Sequence, residues 1–295
     1  MDVTLVTYAE LLELFPDDQP LAAALTRAGL EVGVAAWDDP AFDWRSTRLA
    51  FLRSPWDYYR RHAEFLAWAE RAAGSTTLVN PLPVVRWNTH KGYLLELAAR
   101  GAAVVPTALL VRGEPCDLGA LVAAHGWRGV VVKPAVSADS WETLFAPAGE
   151  LARGQAHIDR LLPERDLLVQ PFLPSVESYG ERCLVFLDGR FSHAVRKNAL
   201  TLGGRWAGLP EGQPVEAAPD ELAAAEAVLA AAGFSDLLYA RVDLTRDAAG
   251  RPLLLELELT EPTLFVADSP GGLARLVDAV VQRLAGRDAA APVSG

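Results

Sequence analysis

The sequence predicts an α/β protein: a doubly wound N-terminal domain followed by further lobes of mixed helix and strand. Three observations carry the prediction. Residues 1–87 run in the order β-α-β-β-α, which builds an open sheet with its ligand crevice at strand ends. Strands at Val104 to Val111 and Gly129 to Lys133 flank a helix, making a compact second lobe. Near the end, Tyr239–Asp243 and Leu253–Leu259 read as paired strands, with turn chemistry at Asp247–Gly250 between them.

Taken in order, Val3–Thr7 is an apolar run of strand length, followed by an amphipathic helix from about Leu21 to Ala28. Strands over Leu30–Ala36 and Leu49–Arg53 come next. A long helix from about Tyr59 to Ala73 turns Phe65, Leu66 and Trp68 inward. Leu94–Ala99 is helical, with Gly101 as its cap. Helices over Gly119–His125 and Glu150–Leu162 precede a strand at Asp166–Gln170. A hairpin spans Cys183–Arg196 and turns at Asp188-Gly189. A Gly-rich turn at Gly203-Gly204 leads to an alanine-rich helix over Pro219–Ala232, stopped by Gly233. The last helix covers Leu273–Leu284, and residues 288–295 are expected to be disordered.

Composition narrows the function. With 295 residues, 51% of them hydrophobic, the chain buries a large core. A net charge of −11 without a basic stripe argues against a nucleic-acid partner. Two cysteines, Cys116 and Cys183, make no disulfide framework, so a reducing cytoplasm is the expected compartment. No secretory signal is expected at Met1, and no apolar run reaches membrane-spanning length.

Chemistry concentrates in the last strand pair. Alternation puts Arg241 and Asp243 on one face, and Glu256 and Glu258 on one face of the partner. Leu253, Leu255, Leu257 and Leu259 are expected on the opposite, buried face. With Asp243 across from Glu256, three carboxylates and a guanidinium converge. Like charges so placed destabilise a hairpin, so a cation belongs there. Oxygen-only ligands favour Mg²⁺ or Ca²⁺. A solvated strand face is the bland alternative.

Of 27 basic residues only three are lysines: Lys91, Lys133 and Lys197. Where arginine is the default, a retained lysine marks a need for a compact ammonium, as at a phosphate. Chance retention is the alternative at each position.

These residues resemble, in order, the ATP-grasp superfamily of carboxylate–amine ligases, over roughly Asn88 to Val280. The resemblance implies that Lys91 and Lys133 reach the ATP phosphates. Gln170-Pro-Phe172-Leu173 becomes the interlobe hinge that reads adenine, and Glu177 the acid that binds the ribose. Asp243, Glu256 and Glu258 hold magnesium, two ions, with Mn²⁺ as a substitute. Arg241 stabilises the phosphoryl-transfer transition state, and Lys197 or Arg196 reaches the γ-phosphate or the acyl phosphate. The implied organisation is an N-terminal domain over 1–87, a small lid lobe over 88–165, a large ATP/Mg lobe over 166–287 and a tail. Two departures stand out: Glu258 occupies a position more often asparagine, and the loop Ala135–Trp141 lacks the usual glycines. Ser137 and Ser140 are candidate hydroxyl donors in their place.

A narrower likeness rests on Arg53-Ser-Pro-Trp-Asp-Tyr58, Trp87–Leu94, Val105-Pro-Thr107, Gly180-Glu181, Phe191–Lys197 and Tyr239–Asp243. These are similar to the branch that contains the O-ureido-D-serine cyclo-ligase. That likeness implies activation of a carboxylate by ATP and intramolecular ring closure onto nitrogen. Arg53, Asp57, Tyr58 and Arg205 (with Arg196) are the candidate substrate contacts. His193 is a packed strand residue or a base; His90 is a surface residue. The expected partner is a small amino-acid-like molecule, and a homodimer is left open. An intermolecular amide ligase, a non-catalytic nucleotide-binding protein and a calcium-binding hairpin are the competing readings.

Overall fold

The computed structural model describes residues 1–197 and 212–290, with side chains through residue 286. Strand β1 (Val3–Thr7) is buried at every position, as suits a strand covered on both faces. It pairs in parallel with β2 (Val32–Ala36) and β3 (Leu49–Leu52), and β3 pairs with β4 (Thr77–Val79). The sheet order β2-β1-β3-β4 is that of an open parallel sheet. Helix α1 (Gln19–Arg27) buries Leu21 and Leu25, one turn apart, against one face. On the other face, α2 (His62–Ala73) buries Phe65, Trp68, Ala69 and Ala72. This helix starts at His62 rather than Tyr59, because Trp56–Arg60 forms a 3-10 turn.

After β4 come α3 (Leu82–Asn88) and α4 (Tyr93–Ala99), closed by Gly101 at φ +91°. The next sheet is antiparallel, in the order β5-β8-β6-β7: β5 (Ala108–Leu110), β6 (Gly129–Pro134), β7 (Leu144–Pro147) and β8 (Leu167–Pro171). It packs on α5 (Leu118–His125) and α6 (Leu151–Leu161), around Leu118, Val130, Ile158 and Val169. Because β8 is hydrogen-bonded between β5 and β6, this lobe reaches Pro171 and does not end at 165. Its other limit also moves: Tyr93, Leu94 and Leu97 of α4 pack in the core of the large sheet.

The large sheet follows the short helix α7 (Ser175–Ser178). It contains β9 (Glu181–Leu187), β10 (Arg190–Lys197), β11 (Gly212–Val215), β12 (Tyr239–Arg246) and β13 (Pro252–Glu258), in the order β11-β10-β9-β12-β13. One face is covered by α4 and α8 (Pro219–Ala232). The other shares a core with the parallel sheet: Val185, Leu187 and Tyr239 pack with Val3, Leu5 and Phe51 under α9 (Pro270–Ala290). Helix α9 continues through 288–290, where a disordered tail is expected from sequence. The predicted turn at Gly203-Gly204 lies outside the described residues. No helix among the described residues is long and apolar enough to cross a membrane.

A bulge between Asp243 and Leu244 shifts the β12–β13 register. It breaks the expected leucine stripe: Leu254, Leu257 and Leu259 are buried in the core, whereas Leu255 lines the cleft with Glu256 and Glu258. As the edge strand, β13 carries outward backbone groups that need partners. The Asn88 amide donates to the Leu257 carbonyl at 2.7 Å and accepts from the Leu259 N–H at 2.7 Å. The Tyr93 hydroxyl accepts from the Leu257 N–H, and Asn80 donates to the carbonyls of Tyr239 and Leu259. These buried polar side chains fix the strands that carry the acids.

Candidate active site

A cleft of about 470 Å³ lies between the small antiparallel sheet and the large sheet, and the Trp56–Tyr58 turn of the N-terminal domain lines it too. Strand pairing builds its floor. Asp243 sits directly across from Glu256, and Arg241 across from Glu258, as the alternation in the sequence requires. Arg241 is buried and bidentate: its Nε and Nη2 each lie 2.8 Å from an Asp243 oxygen, and Nη2 also touches Glu258. Its Nη1 donates to the Thr263 carbonyl at 3.0 Å. Lys197 at the end of β10 bridges Glu181 at 2.9 Å and Asp243 at 3.4 Å. From the roof, Lys133 on β6 reaches Glu256 at 2.6 Å. Three basic side chains thus stand among the crowded carboxylates.

The electrostatics follow from burial against these partners. Burial alone would raise Asp243, but Arg241 and Lys197 hold it well below the usual carboxylate range. Glu256 is likewise raised by burial and overruled by Lys133 and Lys91, down to about 2. Glu258 goes the other way, pushed up to about 7 by burial despite the Arg241 contact. That guanidinium is already committed to Asp243, whose charge adds to the rise. Burial opposes the charge on Lys197 too, yet Glu181 and Asp243 outweigh it and hold its ammonium well above the ordinary lysine value. Glu261, just past β13, is raised to about 7 by burial and then by the charge of Glu258.

Most of the sequence-predicted residues meet here. Lys91, Lys133, Gln170, Phe172, Leu173, Glu177, Lys197, Arg241, Glu256, Glu258 and Tyr58 all line the cleft. Lys91 donates to the Ser137 carbonyl at 2.7 Å and contacts its hydroxyl, which in turn donates to the Pro134 carbonyl at 3.2 Å. The glycine-poor loop is therefore tied to Lys91, with Asp139 and Ser140 in the left-handed region at φ 49° and 54°. The Gln170 amide donates to Thr107 at 2.9 Å. At the Gln170 end, Phe145 and Phe172 pack with ring centroids 4.2 Å apart beside Leu144, Leu173 and Val176, forming an apolar slot.

Three candidates lie elsewhere. Arg53 is 1% exposed, bonded through Nε to Asp18 at 2.8 Å and through Nη2 to the Pro262 carbonyl, so it is a structural tie rather than a wall of the cleft. Asp57 accepts from the Trp37 indole at 2.7 Å and pairs with Arg61, away from the lining residues. Arg196 alternates to the far side of β10 from Lys197 and caps the carbonyls of Ser178 and Tyr179. Arg205 lies outside the described residues. His193 is packed, with Nε2 2.9 Å from the Leu264 carbonyl, and half-buried His90 faces Asp166 at 3.2 Å.

Sequence reasoning missed Glu181, Glu261 and Tyr93, which also line the cleft, as does Trp56 of the Arg53–Tyr58 segment. Glu181 was within reach: its alternation with Cys183 puts it on the Asp243 face, and Glu181, Cys183 and Asp243 bring ligand atoms within 4.8 Å of one another. Glu261 and Trp56 sit outside regular strands, where no periodicity reveals a facing.

Residues 3–80 match the family model of the N-terminal domain of D-cycloserine synthetase DcsG. The cycloserine biosynthesis protein DcsG of Streptomyces lavendulae is 36% identical over 294 residues, covering 96% of this chain and 98% of that protein. The crystal structure of D-cycloserine synthetase DcsG superposes with a TM-score of 0.89 at 35% identity, over 96% of this chain and all of that one. More distant are a RimK-domain ATP-grasp protein from Sphaerobacter thermophilus and the D-alanine–D-alanine ligase of Bacillus anthracis in complex with ATP. Their TM-scores are 0.69 and 0.66, at 19% and 14% identity, over 95% and 99% of this chain and 100% and 99% of those chains.

Proposed function

The chain belongs to the D-cycloserine synthetase family of ATP-grasp ligases, and from that premise we propose that it cyclises O-ureido-D-serine to D-cycloserine. ATP phosphorylates the substrate carboxylate. The oxygen-bound nitrogen then attacks the acyl carbon and phosphate leaves, and water cleaves the bond from that nitrogen to the carbamoyl carbon, releasing CO2 and ammonia. The observation that best supports this reading is the pairing of Asp243 with Glu256 and of Arg241 with Glu258, under Lys133, in one cleft.

Phosphoryl transfer is mostly positioning and charge stabilisation. Lys133 and Lys91 above, and Arg241 and Lys197 below, grip the phosphates in this reading. Gln170, Phe172, Leu173 and Glu177 hold the nucleoside end. Asp243, Glu256 and Glu258 fit Mg²⁺: the donors are all oxygen, on a rigid strand pair. Glu258, pushed up to about 7, is also a carboxylate whose ionisation a divalent ion favours. Two Mg²⁺ ions, replaceable by Mn²⁺, would neutralise the terminal phosphates. The lobe built on β5–β8 acts as the lid that keeps water from the acyl phosphate. A cytoplasmic location belongs to the same reading. The test is ADP release with Mg-ATP and O-ureido-D-serine, with D-cycloserine identified as product; no ADP with this acid sinks it.

A further inference from the structure

The acids that the large sheet contributes to the cleft each have a basic partner: Asp243 and Glu258 have Arg241, Glu256 has Lys133, and Glu181 has Lys197. Glu261, on the segment after β13, has none within salt-bridge distance among the described residues, although it is only partly exposed. Asp139 and Glu177, the other lining acids without one, present more of their surface to water than Glu261 does. An uncompensated, half-buried carboxylate is costly to the free protein.

Aromatic groups line the cleft with it. The Trp56 indole donates to the Glu261 backbone carbonyl at 3.0 Å, and the Tyr58 hydroxyl and the Glu261 carboxylate influence one another across the same cleft. Both rings line the cleft, and Tyr93 joins them. A carboxylate beside aromatic rings suits an organic ammonium, which donates a charge-assisted hydrogen bond to the first and is drawn to the second by cation–π attraction. A divalent ion would want further oxygen ligands, which the rings do not offer.

Position narrows the ligand. Glu261 lies three residues beyond Glu258, and the charge of Glu258 is felt there. In an α-amino acid one carbon separates ammonium from carboxylate. Glu261 lines the same cleft as Arg241 and Glu258, so an ammonium held at Glu261 puts the carboxylate one carbon away on the side where the phosphate is gripped. We infer that Glu261, with Tyr58 and Trp56, receives the substrate's α-ammonium and restricts the site to α-amino acids. This rests on the ligase reading above and adds a specificity residue to it.

The test compares wild type with Glu261→Gln and Glu261→Asp on O-ureido-D-serine and on its desamino analogue, 3-(ureidooxy)propanoate. Several D-amino acids and their desamino counterparts are run in parallel, with ADP release as the readout. Wild type should prefer the amine-bearing acid, and Glu261→Gln should lose roughly 10- to 100-fold in kcat/KM on it. The variant should keep the wild-type rate on the desamino acid and the wild-type KM for ATP, and Glu261→Asp should recover part of the loss. Equal preference in wild type and Glu261→Gln overturns the inference, as does an equal loss on both acids. If O-ureido-D-serine fails but another α-amino acid turns over, only the substrate reading falls, and the comparison is decided on that acid. If no acid releases ADP, both fall.

Discussion

Lys133 on β6 and Glu256 on β13 meet at 2.6 Å, a direct bond between the small antiparallel sheet and the large one across the mouth of the site. Lys133 is 8% exposed, so the pair is well shielded and its charges need each other. Bringing in a nucleotide exchanges one good pair for two: ammonium with phosphate, and carboxylate with metal. Lys133→Ala removes the first of these. The KM for ATP should rise about tenfold or more, the scale of one lost charge-assisted hydrogen bond. Unchanged nucleotide affinity would refute the role given to Lys133.

Glu256→Gln keeps the shape and removes the charge. Turnover should fall by about 10³-fold, as when one preorganised charge-stabilising group is lost. The fold should survive, because Leu254, Leu257 and Leu259 carry the packing of β13. The discriminating measurement is melting temperature with and without Mg-ATP: wild type gains stability from the ligand and the variant does not. A variant that releases ADP at the normal rate would remove Glu256 from the metal set.

The acids should also set a pH signature. Glu258 and Glu261 are raised by burial from 4.5 to about 7. Between those values the folded chain keeps protons that the unfolded chain has lost, so these two groups make ligand-free stability fall as pH rises from 4.5 to 7. Glu256, held at about 2 by Lys133 and Lys91 against burial, works oppositely. Its contribution is complete above the unfolded value of 4.5 and is lost as pH falls towards 2. Mg-ATP requires ionised carboxylates, so its binding near about pH 6 should release protons, and near about pH 9 should release almost none. Calorimetry in buffers of different ionisation heat reads this directly. Binding without proton release near pH 6 would place Glu258 outside the metal set.

Period-two reasoning worked where the chain is regular and one face is polar. Arg241, Asp243, Glu256 and Glu258 alternate with apolar neighbours, and the observed register pairs them as alternation demands. It failed at the bulge after Asp243, which sends Leu255 to the cleft and Leu254 to the core. No composition cue marks that extra residue. Arg53 misled for a related reason: a charged residue at the end of a buried parallel strand suggests a ligand contact, and its partner Asp18 is distant in sequence. The boundary of the small lobe was illegible because β8 follows a helix and a loop before returning between β5 and β6. Contacts of that range leave no local trace.

Trp141, in the loop after β6, packs on Tyr59 of the N-terminal domain with ring centroids 4.8 Å apart, and the Arg165 guanidinium lies over the Trp141 ring at 4.7 Å. The contact links the loop beside Lys91 to the domain carrying Trp56 and Tyr58. Such an aromatic pair is worth about 0.5–1.5 kcal/mol beyond area burial. Trp141→Ala should therefore hold the site closed less well and let water reach the acyl phosphate. Several-fold more ADP per molecule of product is expected, with little change in ATP KM. A ratio that stays at one would make the stacking irrelevant to closure.

Arg53 and Asp18 form a pair in which both side chains are nearly inaccessible, and Ser54 donates to the same carboxylate at 3.3 Å. The guanidinium also lies over Phe51 and Tyr239, and it ties strand β3 to the Pro262 carbonyl beside Glu261. Removing one member strands the other in a low-dielectric core, which typically costs about 3–5 kcal/mol. Arg53→Ala should therefore lower stability by that amount in denaturant titration. Asp18→Asn should cost a similar amount, and the double variant less than the sum of the two. Measured well below its melting temperature, Arg53→Ala should keep the wild-type KM for ATP, because nothing it touches faces the nucleotide end. A variant of full stability whose KM for the acid substrate alone has risen would return Arg53 to the binding site.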